Sequence, residues 1–175
     1  MINQLSPQDA LAVLKTLARD DEQLAARIAE IATAQLSDID PEEVAFGLYE
    51  ELELLEVEEV WDRAGPSHHG YVDPAEAADQ MIDEVIAPYL EELKKYQALG
   101  MNAQANRMSM GLLLGLYRFE DESTSKFKEW EPDAAGVFAE VAVDAWKAGD
   151  PSRADVKALR TFIKDELSGW GARLV

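Results

Sequence analysis

The stretch NAQANRMSMGLLLGLYRFE, residues 102–120, decides how this chain folds. Wound as a helix, it carries Met108, Met110, Leu112, Leu113, Leu114, Leu116, Tyr117 and Phe119, and is apolar on nearly every side. Such a helix belongs at the centre of a bundle, surrounded by others. Gly111 and Gly115 lie four residues apart on one face, where the lack of a side chain lets a neighbour approach closely, at roughly 1 kcal/mol of helix propensity each. Arg107 and Arg118 are three turns apart and project from nearly the same side. An arginine on so buried a helix is expected to meet a carboxylate from one of the acidic helices, although the two could also bind an anion.

Outward from this centre, helix starts are marked by a capping residue before proline: Ser6-Pro7, Asp40-Pro41, Asp73-Pro74 and Asp150-Pro151. Asp9, Glu43 and Glu76 follow their caps by three residues, where an acid reaches the cap amide and the positive end of the helix dipole. The apolar spacing predicts helices over Pro7–Ala18 and Asp21–Leu36, forming a hairpin, then over Pro41–Leu55. A short helix follows, with Val57, Val60, Trp61 and Ala64 on one face. Residues 65–72 read as a loop. The next helix, Pro74–Leu99, contains Pro88, which predicts a kink or a junction of two helices. Helices over Pro132–Ala148 and Pro151–Ser168 close the chain, with a frayed tail from Gly169-Trp170-Gly171. No strand is predicted. The similarity of Asp40–Ala45 to Asp73–Ala78 reads as shared capping chemistry, because no third copy follows. The expected fold class is all-α, seven to eight helices in an irregular antiparallel bundle or short helical array, with residues 1–175 as a single domain.

The 175 residues include no cysteine, which excludes disulfides, thiol catalysis and cysteine-ligated metal. The N-terminus lacks a secretion signal and no apolar run is long enough to span a bilayer, so a cytoplasmic protein is expected. The net charge of −19 is unevenly placed. Residues 28–93 hold 19 acids and a single base, Arg63, whereas residues 94–175 hold 12 of each. The acidic part, 28–93, is therefore followed by a near-neutral part, 94–175.

Material for catalysis is thin. His68 and His69 are adjacent in one loop, and with Asp62 and Asp73 they could contribute to a metal site only through a special loop geometry. Glu50, Glu51, Glu53, Glu56, Glu58, Glu59 and Asp62 match no calcium-loop pattern, and fall mostly opposite the apolar stripes. The Glu-x-x-His spacing of di-iron bundles is missing. Gly111 and Gly115 sit inside a helix rather than between a strand and a helix, so they make no phosphate loop. No catalytic residue, cofactor or metal is assigned.

Two stretches, Val60-Trp61-Asp62-Arg63-Ala64-Gly65 running on to Gly70–Ala78, and Leu116-Tyr117-Arg118-Phe119-Glu120 through Lys128-Glu129-Trp130, resemble a group of uncharacterised bacterial and archaeal helical proteins. They are more loosely similar to helical regions that accompany SWIM-type zinc fingers. The resemblance spans about residues 40–148 and implies an irregular helical array without established activity. The cysteines and histidine of the SWIM motif are absent, so zinc is not implied.

The functional expectation is a non-enzymatic interaction module whose acidic surface, with Glu50, Glu53 and Glu58, binds a basic protein surface, without membrane or direct nucleic-acid contact. Two alternatives are a nucleic-acid mimic that occupies a DNA-binding protein, which needs acids spaced like a phosphate row, and a metal-dependent enzyme using the His68-His69 loop.

Overall fold

The computed structural model describes residues 5–67, 70–170 and 174. The chain, read above as one domain, divides into two compact units, Met1–Asp38 and Ile39–Val175. The first is a hairpin of α1 (Pro7–Asp20) and α2 (Glu22–Leu36). Asp21 alone separates them, and its carboxylate caps α2 by accepting from the Gln23 and Leu24 amides. Ser6 caps α1 in the predicted manner, accepting from the Asp9 amide at 3.2 Å.

The second unit is built on α6 (Asn102–Glu122), which packs against α3 (Pro41–Glu53), α5 (Pro74–Ala98), α8 (Ala134–Lys147) and α9 (Arg153–Glu166). Every residue from Gly111 to Leu116 is buried. The central position expected from its all-round apolar surface is the one it takes. Two short helices, α4 (Val57–Arg63) and α7 (Lys126–Trp130), complete the unit, and all the described elements but one hairpin are helical.

The glycine pair selects the neighbour. A Cβ added at Gly111 would stand 2.5 Å from the Val44 Cβ and 2.9 Å from the Pro41 carbonyl, and one at Gly115 would stand 2.9 Å from the Ala45 carbonyl. Real Cβ contacts do not come that close, so α3 lies where only glycine permits. Because Pro41 and Val44 face Gly111 while Ala45 and Leu48 face Gly115, α3 and α6 run parallel. The link between parallel neighbours has to return along the fold, and α4, the hairpin and α5 make that return.

The structure corrects several expectations. The stretch read as a loop holds two strands, β1 (Gly65–Ser67) paired antiparallel with β2 (Gly70–Val72), with Pro66 opposite Tyr71. Gly65 (φ 123°), where β1 begins, and Gly70 (φ 135°), where β2 begins, take backbone conformations that L side chains avoid. α5 continues through Pro88 as one helix, with that proline exposed, so no junction of two helices falls there. Asp150 does not cap α9. It takes a left-handed φ of 52°, and the cap is Ser152, in a capping box with Asp155. The chain also does not fray at Gly169-Trp170. Trp170 is buried against Tyr117, ring centroids 5.6 Å apart at right angles, and Leu174 is buried as well. Trp61 was placed on an apolar helix face, yet only Val60 is buried there. Trp61 lies 56% exposed, edge-on to Trp130 at 5.2 Å.

Candidate interaction surface

Parallel packing of α3 on α6 has an electrostatic consequence, because it brings two helix C-termini to the same end of the unit. Each C-terminus carries roughly half a negative charge from unpaired carbonyls, so cations are favoured there and acids are not. α3 ends in Glu50, Glu51 and Glu53, α6 ends in Glu120, Asp121 and Glu122, and neither has a base in its last turn. Tyr49 reports the crowding. Its hydroxyl pKa is raised by desolvation and then by the charges of Glu53, Glu122 and Glu50.

Of the residues singled out from sequence, Glu50 and Glu53 thus meet at Tyr49, with Glu50 exposed and Glu53 half-buried. Glu58 stands apart from them, exposed in the first turn of α4. It lines a polar cleft of about 380 Å³ between Leu55–Glu58 and Ser125–Phe127, facing Lys126. Glu122 was missed, because it falls in the part of the chain that is neutral by count. The signal was nevertheless present: three successive acids at the end of a predicted helix oppose its dipole.

Other acids of the 28–93 region already have partners. Glu84 receives Arg63 at 2.8 Å, Glu91 and Glu92 pair with Lys94 and Lys95, and Glu42 meets Arg118 at 2.7 Å. Arg118 therefore does what its place on the buried helix required, whereas Arg107 is exposed and, among the described residues, forms no ion pair. Glu51 bonds the Tyr89 phenol, whose pKa is pushed up to about 12 by desolvation and then by Glu51. Glu92 acts likewise on Tyr96, also raised to about 12 chiefly by desolvation. Of the acids outside these pairs, Glu50 and Glu122 stand at the shared end of α3 and α6 and Glu58 on the first turn of α4, while Asp79 and Asp83 lie exposed on α5.

The C-terminal half is neutral only on average. Arg153, Lys157, Arg160 and Lys164 succeed one another at i, i+4, i+7 and i+11 along one exposed face of α9. Among the described residues none of the four is in an ion pair.

His68 and His69 lie outside the described residues, so the metal reading of their loop has no geometry to stand on. Among the described residues no group of three or more His, Cys, Asp or Glu side chains could hold a metal ion, and no helix is long and apolar enough to cross a membrane. No protein-family model, curated protein or solved structure matches the chain.

Proposed function

We propose that this chain is a cytoplasmic, non-enzymatic interaction module that presents the acidic end formed by α3, α4 and α6 to a basic protein surface. The observation that carries the reading is the placement of acids, with no compensating base, at the C-termini of two parallel helices. Each acid so placed costs about 0.3–1 kcal/mol of helix stability, a cost that a purely structural surface would shed. A field from clustered, unpaired carboxylates raises the association rate with a cationic patch and is screened beyond about 8 Å at physiological salt.

The test is binding of a lysine-rich peptide, followed as salt is raised. Charge reversal at Glu50, Glu58 and Glu122 together should weaken binding at least tenfold and flatten its salt dependence. Reversal at Glu140, Asp165 and Glu166, three exposed acids on other elements, should leave it within twofold. Equal loss in both triple variants means that the peptide senses net charge alone, and the reading is then wrong.

A further inference from the structure

The first unit lacks what a unit of its size needs in order to stay folded. Its two helices are strongly amphipathic: Ala10, Val13, Leu14, Leu17 and Ala18 form one face of α1, and Leu24, Ile28, Ile31 and Ala32 one face of α2. Yet no side chain of either helix is buried. Leu11, Val13, Leu14, Leu17, Leu24 and Ile31 are each 41–51% exposed. Two helices in contact cover only one side of each stripe. Units below about 40 residues generally depend on disulfides, metal or association for stability. The chain has no cysteine, and the described residues offer no metal cluster. Association remains.

We infer that the α1–α2 hairpin is half of an intermolecular four-helix bundle, completed by the hairpin of a second copy of this chain. Charge favours a copy as the occupant. Residues 1–38 hold six acids and three bases, whereas residues 39–175 hold 29 acids and 13 bases. The hairpin is thus the part of the molecule that can meet itself with little repulsion. Its polar faces carry both signs on each helix, with Arg19 paired to Asp20 on α1 and Arg27 to Glu30 on α2, so neither face is a block of one charge. In a two-fold pairing the same stripe serves both partners, so the face is satisfied on both sides at once. Covering six half-exposed side chains from each copy removes on the order of 1,000 Å² from water, about the lower bound for a specific interface. The resulting dimer carries two acidic ends, and would hold a multivalent basic partner by avidity.

The experiment is sedimentation equilibrium of the full chain across the micromolar range, with helicity followed by circular dichroism. The wild type should sediment at twice 19.4 kDa. Leu14→Glu with Leu17→Glu should shift the dissociation constant at least a hundredfold toward monomer, while Thr16→Glu, on the opposite face of α1, should leave it unchanged. Energy transfer between donor- and acceptor-labelled Gln8→Cys chains supplies a measurement that does not depend on a destabilised variant. It should appear on mixing and vanish with excess unlabelled chain. A monomeric wild type overturns the proposal, whether its hairpin amides prove protected within one chain or the chain floats with phosphatidylglycerol vesicles. A dimer that survives the double substitution also overturns it, because the interface then lies elsewhere.

Discussion

Single residues set the closest contact in the molecule. Replacing Gly111 or Gly115 with alanine adds helix propensity worth up to about 1 kcal/mol, but forces α3 away from a Cβ that has no room. Overpacking of this kind costs about 1–3 kcal/mol, so both variants should lower the melting temperature despite the better helix former. Gly111→Ala should be the worse, because it meets the Val44 side chain and the Pro41 carbonyl together. Unchanged melting temperatures would mean that the helices are not in contact there. Glu131 gives a second prediction. Burial first, then the charges of Asp79, Asp133 and Asp73, raise its pKa above the ordinary 4.5. A raised carboxyl pKa contributes stability that is fully present below the unfolded value and is lost as pH rises through the folded one. Glu131→Gln, neutral at every pH, should therefore raise the melting temperature near neutrality and make no difference in acid below the unfolded value. A variant less stable than wild type at neutral pH would show that the carboxylate is held by a favourable partner. At this scale the sequence was readable where sterics or charge leave one solution, as at Gly111, Gly115 and Arg118. It was misleading at Trp61 and Trp170, whose burial depends on distant partners: Trp61 stands beside Trp130 rather than in the core, and Trp170 closes on Tyr117 from beyond the last long helix.

Elements were legible in proportion to their length. The long helices announce themselves through repeated apolar spacing and a cap, and Asp40 and Asp73 cap α3 and α5 as expected. The strands β1 and β2 have three residues each, too few for an alternating pattern to exist. α7 has five, held by the fully buried Phe127 and by Ser125, which accepts from the Phe127 amide. At α9 two start signals compete, Asp150-Pro151 and Ser152-x-x-Asp155, and the capping box wins because it satisfies both the cap amide and the N3 amide. The basic face of that helix yields its own prediction. Lys94, Lys95 and Lys147 are matched within their helices, with Glu91, Glu92 and Asp144. On α9 like charges stand at i, i+4 instead, each pair opposing the helix by about 0.2–0.5 kcal/mol. Lys157→Glu replaces repulsion from Arg153 and Arg160 with attraction, and should stabilise the protein by about 0.5–1 kcal/mol in low salt, with the gain shrinking as salt rises. A loss of stability would mean that Lys157 has an attractive partner.

Across the whole molecule the parallel course of α3 and α6 could not be read from spacing, because a close approach of two helices does not specify their relative direction. That direction is what concentrates the acids, and it gives salt two opposite effects on one set of charges. Within the folded chain, Glu50, Glu53 and Glu122 all act on the Tyr49 hydroxyl, and acids so placed meet repulsion from the carbonyl ends of their helices. Salt screens this repulsion, so the melting temperature of the second unit should rise with sodium chloride up to physiological strength. Toward a cationic partner the same charges attract, so affinity should fall over the same range. Lysine at Glu50, Asp121 and Glu122, all in helix last turns, should reproduce the effect of salt on both quantities, with a more stable fold and a weaker complex. Stability gained as binding is lost is the pattern expected of residues kept for recognition against the interest of the fold. Calorimetry of the triple variant beside its peptide affinity separates the possibilities. If the variant is less stable than wild type, the acids are structural, their cluster is held by contacts that lysine breaks, and the acidic end loses its claim to be a recognition surface.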